Sequence, residues 1–444
     1  MDFFDRLLGI KTKLRIEDIM IKKHFTYILL LIAVISLSAC NQQTETAQAQ
    51  GKQAPMFEVD PFWPKPLPNH WILGSTIGLA VDSRDHVFII HRRDSFNERT
   101  EIGAAADPKT ADCCIPAPNV LEFDPAGNLV NYWGGPGEGY DWPSSNHGIS
   151  VDHKDNIWIG GNGRGDSHIL KFSRNGQFLA QYGKAGSPTD SHSQENFGRV
   201  AEIAFHAESN EAFVADGYSN KRVAVLDIDT GELKRYWGAY GNDPDDSNLG
   251  PFQPGQEPAQ QFRNPVHCAE PSYDGLVYVC DRPNNRLQVF NQDGTYIQEL
   301  FVKPNSLGDG SVWDISFSSD PEQKFIYLAD GTNRKIFIIE RETMEILTNF
   351  GDGGRNPGQF FAVHNIATDS KGNIYTTETY EGKRVQKFKY MGMGPVTVMD
   401  QGTPWPADRR LNIPEPIASN NLTAPTQRSS EDFNKELVAE EFAY

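Results

Sequence analysis

The sequence predicts an all-β fold, a six-bladed β-propeller, and three observations predict it. A unit of about 40 residues recurs six times between about residues 70 and 390 of the 444-residue chain. Within each unit apolar and polar residues alternate in strand fashion, and hairpin turns such as "KDN", "RNG", "QDG" and "KGN" punctuate them. Helical periodicity is absent from the same span. A twisted four-stranded sheet cannot bury both faces alone, whereas radial packing gives each face a neighbour.

The units follow one pattern: a short apolar strand ending in Asp or Ser, a turn, an aromatic-rich strand ending in Asp, a polar turn with Arg, then apolar strands. The first begins "GLAVDSRDHVFIIHRR" and the second "GISVDHKDNIWIGGN". The third holds "AFVADGYSNKRVAVLDIDTGELKRYWG" and the fourth "HCAEPSYDGLVYVCDRPNNRLQVF". The fifth is "DISFSSDPEQKFIYLADGTNRKIFIIE" and the sixth "NIATDSKGNIYTTETYEGKRVQKFKY". The sixth lacks a last strand. The segment "APMFEVDPFWP" can supply it and close the ring, which makes Phe57, Val59, Phe62 and Trp63 sheet or blade-edge residues.

Outside the repeats the composition changes. Residues 1–39 end in a charged n-region at Lys22 and Lys23, an apolar run from Tyr27 to Ile35 and "LSAC", which reads as a signal peptide with a lipobox. Cys40 is then the lipidated first residue of the mature chain, and Asn41 after it favours the outer membrane, facing the periplasm. Residues 1–19 fit no signal, so Met20 is the expected start. Residues 40–55 read as a polar tether, 56–393 as the propeller, and 394–444 as a surface-wrapping or disordered tail with one candidate helix in "SSEDFNKELVAEEFA". The net charge of −18 and the lack of a basic face argue against a nucleic-acid partner. Four further cysteines, Cys113, Cys114, Cys268 and Cys280, leave the disulfide pairing open, although sequence neighbours rarely bridge each other.

Three histidines carry the functional signal. Aligned on the first strand, one position of the six units holds Ile77, His147, Ala201, His267, Trp313 and His364. The first strand of a blade lines the central channel, and alternate blades are related by about 120° in a six-fold ring. His147, His267 and His364 are therefore expected to meet on the axis as a three-histidine site with an open side, the way a catalytic zinc is held. Another divalent ion suits the same ligands. His70, His86, His153, His168, His192 and His206 fall elsewhere and read as surface or turn residues.

The motifs resemble NHL repeats, as in "GNIYTTETYEGKRVQKF" and "GLVYVCDRPNNRLQVF". More closely, "VFIIHRRD", "NHGISVDHKDNIWI", "AFVADGYSNKRV", "NPVHCAEP" and "AVHNIATDSKGNIYT" are similar to segments of peptidyl-α-hydroxyglycine α-amidating lyase. That resemblance implies zinc on His147, His267 and His364, a catalytic Tyr218, and Arg92 and Arg282 as active-site arginines. The implied substrate is a small molecule or peptide carrying an α-hydroxyglycine with its carboxylate, made by a separate monooxygenase. Cleavage gives an amide and glyoxylate. The resemblance also implies a structural calcium ion held by an acid after the third histidine. Here that residue is Asn365, leaving only amide and backbone oxygens for calcium. Ser219 and Val289 replace two family cysteines, which leaves Cys280 without that partner. Arg93 replaces a glycine beside Arg92 and is a rival for its role, and the insertion at 94–116 is long enough to cover the channel. Two other readings stand beside the lyase: a non-enzymatic propeller that binds protein or glycan, and a metal-dependent lactonase-type hydrolase.

Overall fold

Turn chemistry explains why each unit folds as a meander. The Asp that ends a first strand accepts hydrogen bonds from the backbone of its own turn. Asp152 takes the N–H groups of Lys154 and Asn156, both at 2.9 Å, and Asp369 takes those of Lys371 and Asn373 at 3.0 and 2.9 Å. The Asp that ends a second strand holds the next turn. Asp216 receives Asn220 Nδ2 and Arg222 Nε, each at 2.8 Å, and Asp281 receives Asn284 Nδ2 and Arg286 Nε at the same distance. These ion pairs are fully buried, so losing one partner would strand a charge in the interior.

A computed structural model describes residues 51–406, and its strands make six four-stranded antiparallel sheets. Blade 1 is Thr76–Val81, Val87–His91, Val120–Phe123 and Leu129–Trp133. Blade 2 is Asn146–Val151, Ile157–Gly161, His168–Phe172 and Phe178–Gly183. Blade 3 is Glu202–His206, Glu211–Asp216, Arg222–Asp227 and Leu233–Trp237. Blade 4 is Val266–Pro271, Leu276–Asp281, Arg286–Asn291 and Tyr296–Phe301. Blade 5 is Asp314–Phe317, Phe325–Asp330, Lys335–Glu340 and Glu345–Phe350. Blade 6 is Val363–Thr368, Ile374–Glu378 and Arg384–Pro395, completed by Gln53–Asp60. The apolar clusters join facing sides of neighbouring blades; Phe213 and Val225 of blade 3, for example, pack with Val277, Val279 and Phe290 of blade 4.

The expected ring closure is present. Gln53–Asp60 runs antiparallel to Arg384–Pro395, with Phe57 opposite Tyr390 and Val59 opposite Phe388. Phe57 is buried and its ring lies 5.3 Å from Tyr327 and 5.5 Å from Phe350, so the closing strand also packs on blade 5. Trp63 is buried against Tyr375 and Phe123. Phe62 is a correction: it sits in the turn after the strand and is 70% exposed, because the chain has already left the pleat there.

One expectation about cysteine is also corrected: the neighbours Cys113 and Cys114 are bridged. The pairing left open for the other two is Cys268 with Cys280, on adjacent strands of blade 4. His168, expected at the surface, is buried where it opens the third strand of blade 2, with its Nε2 against Asp141 O at 2.6 Å. The signal-like segment, Cys40, the tether up to residue 50 and the candidate helix near the C-terminus lie outside the described residues.

Ring closure generates a prediction. Phe57→Ala should lower the unfolding free energy by about 3–5 kcal/mol, read as a lower urea midpoint at unchanged slope. An unchanged midpoint would mean the closing strand contributes little.

Candidate metal centre and active site

The three axial histidines sit on β-bulges. Register between the first and second strands shifts between Asn146 and Ile149 in blade 2, Val266 and Ala269 in blade 4, and Val363 and Ile366 in blade 6. Each shift brackets one histidine, and an extra residue in a strand re-aims a side chain that simple alternation would point elsewhere. Blades 3 and 5 pair without such a shift, although blade 1 has one around Ile77. The result is convergence. Ring centroids of His147, His267 and His364 lie 5.2, 4.9 and 4.8 Å apart, and one nitrogen from each lies within 4.8 Å of the others. All three rings are buried.

What orients the rings is the backbone of the blades that lack histidine. His147 Nδ1–H donates to Ala201 O at 2.7 Å and His267 Nδ1–H to Trp313 O. His364 Nδ1–H donates to Asn365 Oδ1 at 2.8 Å, and the ring lies near the backbone of Ile77. Ala201, Trp313 and Ile77 are the residues that align with the histidines in blades 3, 5 and 1. A carbonyl can only accept, so each imidazole keeps its proton on Nδ1 and turns the lone pair of Nε2 inward. Adjacent inner strands must approach closely for this; a Cβ on Gly148 would stand 2.6 Å from that same Ala201 O.

Burial, then the charge of His364 and Arg92, holds His147 well below the ordinary histidine range, and burial followed by Arg282 does the same for His267. His364 is pushed down to about 3, again chiefly by burial. The rings are therefore neutral donors. His267 Nε2 is buried with no hydrogen-bond partner, which is costly unless something binds it. Three converging neutral imidazoles, one of them orphaned, fit a divalent metal with a taste for nitrogen.

The end of a second strand lies beside the start of the first, so second-to-third strand loops surround the histidines. The structure brings the three predicted residues of these loops to one place. Tyr218 OH donates to His147 Nε2 at 2.8 Å. Arg282 Nη1 donates to Tyr218 OH at 3.4 Å, its guanidinium lies 4.6 Å over Trp313, its Nη2 is 3.4 Å from Asp309, and its buried Nε is unpartnered. Arg92 donates only to neutral oxygens, Asn146 O at 3.1 Å and Asn162 Oδ1 at 2.8 Å. Arg93 is exposed. Arg199, whose guanidinium lies 5.7 Å over the Tyr218 ring and whose Nε donates to Asn162 O, and Asn162 itself were not foreseen. Asn162 occupies the loop slot of blade 2 that Arg92 and Arg282 occupy in blades 1 and 4, so aligning the second-strand ends would have found it.

The insertion at 94–116 leaves blade 1 at this same face. Ile115–Pro116 pairs in parallel with Trp71–Ile72, and Lys383 of blade 6 forms an ion pair with Glu101. Beside the third histidine, Asn365 stands in place of the carboxylate implied by the resemblance for calcium. Asn365 Oδ1 is taken by His364, and its Nδ2 donates to Glu202 Oε1 at 3.1 Å and Asp314 Oδ2 at 3.0 Å. The amide is thus held between a histidine and two acids, and no carboxylate stands at this position for calcium.

With this geometry in hand, the chain can be set against known proteins. No family model matches it. It is 24% identical over 315 residues to peptidyl-glycine alpha-amidating monooxygenase B of Xenopus laevis, covering 69% of this chain and 33% of that protein. It is 22% identical over 355 residues to peptidyl-alpha-hydroxyglycine alpha-amidating lyase 1 of Drosophila melanogaster, covering 74% of this chain and 59% of that one. The chain resembles the amidating lyases. It spans a third of the frog protein and less than two thirds of the fly protein. Among solved structures, a streptogramin B lyase matches with a TM-score of 0.46 at 13% identity over 75% of this chain and 98% of that one. A Bacteroides thetaiotaomicron protein of unknown function matches with a TM-score of 0.48 at 14% identity, over 76% of each chain.

The root of the Arg92 loop is held by His91, whose Nδ1 accepts Gly74 N–H at 3.1 Å and whose Nε2–H donates to Pro118 O at 2.9 Å. Burial pushes His91 down to about 4. The unfolded chain, with an ordinary value near 6.5, therefore binds a proton first as pH falls, and the fold loses stability from about pH 6.5 down to about 4. Urea unfolding at stepped pH should show His91→Gln with a shallower loss across that window than the parent; parallel curves would contradict this.

Proposed function

We propose that the chain is a metal-dependent lyase that cleaves a peptidyl- or acyl-α-hydroxyglycine to an amide and glyoxylate. The observation that carries this reading is the Tyr218 hydroxyl on the inward nitrogen of His147, with Arg282 on the same hydroxyl. A zinc ion, or another divalent ion suited to imidazole, held by His147, His267 and His364 would supply Lewis acidity that lowers the pKa of a substrate hydroxyl. The amidating activities named for the frog and fly relatives support the same substrate class.

The protein residues divide the remaining work. The substrate is R–CO–NH–CH(OH)–COO⁻. Arg92, whose partners in the fold are neutral oxygens, and Arg282 seat the carboxylate through charge-assisted hydrogen bonds. Tyr218 relays the proton: it takes the hydroxyl proton as the C–O bond becomes a carbonyl and the C–N bond breaks, and passes a proton to the departing amide nitrogen. The products are R–CO–NH₂ and OHC–COO⁻, with no change of oxidation state overall. Burial of the histidines keeps the reacting centre out of bulk water.

This chemistry requires an earlier hydroxylation of a glycine-extended precursor, the task of a separate monooxygenase. In the same reading Cys40 carries lipid and fixes the enzyme at the outer membrane of a bacterial envelope, facing the periplasm. Palmitate labelling of the expressed full chain should be abolished by Cys40→Ala.

The direct test is glyoxylate release from α-hydroxyhippurate by the zinc-loaded full chain. Tyr218→Phe should lower kcat by roughly 10²- to 10⁴-fold, and Arg92→Gln should raise KM by about tenfold or more. Full activity in Tyr218→Phe would remove the tyrosine from the mechanism; no glyoxylate from any loaded sample would remove the lyase reading.

A further inference from the structure

A second cluster of metal-capable side chains lies in the channel and has no part in the chemistry above. Glu202 opens the inner strand of blade 3, Glu270 lies in that of blade 4, and Asp314 opens that of blade 5. One carboxylate oxygen from each lies within 4.8 Å of the other two. Glu202 and Asp314 immediately follow Ala201 and Trp313, the residues whose carbonyls orient His147 and His267. The acids thus form a layer of their own next to the imidazoles.

The layer is short of positive charge. Asp314 receives the backbone N–H groups of Ile366 and Ile315, both at 2.8 Å, and Asn365 Nδ2 donates to Asp314 and Glu202. These donors are all neutral. Among the described residues no Lys, Arg or His forms an ion pair with any of the three acids. Glu202 is 8% exposed, its carboxyl lies against that of Asp314, and its second oxygen, Oε2, is buried with no N–H or O–H donor. Buried carboxylates this close cannot all ionise unless a cation or protons compensate them.

Access and ligand chemistry favour the cation. A cavity of about 400 Å³, lined by inner-strand residues of all six blades, reaches Glu202 and Glu270. A hard cation could enter there with waters to complete its shell. The donors are oxygens only, whereas the histidine layer offers nitrogens only, so the two layers select different ions. Three carboxylates from three separate strands suit the irregular, high-coordination shell of calcium better than the strict octahedron of magnesium.

We propose that Glu202, Glu270 and Asp314 hold a hard divalent cation of the calcium class in the channel, separate from the ion on the histidines. The site differs from the one the resemblance implies: its oxygens come from blades 3, 4 and 5, and Asn365 serves it as a donor to two of the acids. Such an ion would tie three inner strands together and neutralise the floor beneath the imidazoles. The proposal does not depend on the lyase reading.

The full chain, stripped with chelator and reloaded with zinc, should be titrated with calcium chloride by calorimetry, with Tm followed in parallel. One calcium ion per chain and a rise in Tm are expected. Glu202→Gln should abolish the uptake. Glu270→Gln, at the more open position and so less apt to disturb folding, should weaken it by roughly tenfold or more. Zinc content should be the same in both variants as in the parent. No heat and no Tm shift up to roughly 10 mM calcium, above the range of the weakest calcium modules, would overturn the proposal. So would calcium uptake of equal affinity in the parent and in Glu270→Gln.

Discussion

The hydrogen bond from a histidine Nδ1–H to the inner-strand backbone of the next blade is the interaction on which the rest depends. It is made by His147 to Ala201 and by His267 to Trp313, while His364 donates to the Asn365 side chain and lies near the backbone of Ile77. One contact does three things. It joins neighbouring blades at the axis, it fixes the tautomer, and it leaves Nε2 facing the channel. The ring needs an odd blade to supply each carbonyl and an even blade to supply each imidazole, which accounts for the alternation of histidine with Ile, Ala and Trp along the sequence.

The asymmetry of the loops then converts an axial ligand set into a site with one working face. Loops after the second strands bring Arg92, Asn162, Tyr218 and Arg282 around the histidines. Arginines there meet mostly neutral acceptors, which leaves their charge available to an anion. On the other side of the imidazoles the chain places acids, with the Asn365 amide facing both layers. Basic side chains on one side and carboxyl groups on the other make the two ends of the channel chemically distinct.

Much of this was legible in the sequence because repeats make position visible. The six units, the closing strand around Phe57 and Val59, and the three histidines all follow from alternation and from aligning one strand. Tyr218, Arg92 and Arg282 were found through resemblance, since a single loop residue has no periodicity to betray it. The misses have physical causes. Phe62 was assigned to a strand that ends two residues earlier, at Asp60. His168 was placed at the surface because its partner, the Asp141 carbonyl, is 27 residues away in sequence. The pairing of Cys268 with Cys280 depends on adjacency of two strands, which sequence spacing alone does not settle. Asn162 was open to an alignment of second-strand ends, whereas Arg199 and the cluster of Glu202, Glu270 and Asp314 are set by contacts between blades, which no single repeat contains.

The central claim, that the ring gathers three imidazoles around one ion, is tested most directly by X-ray absorption on the full chain loaded with one equivalent of zinc. The account predicts zinc–nitrogen distances of about 2.0–2.1 Å with an imidazole scattering pattern for three ligands, and loss of that pattern in His267→Ala. A zinc spectrum dominated by oxygen or sulfur ligands, or one unchanged in His267→Ala, would contradict it.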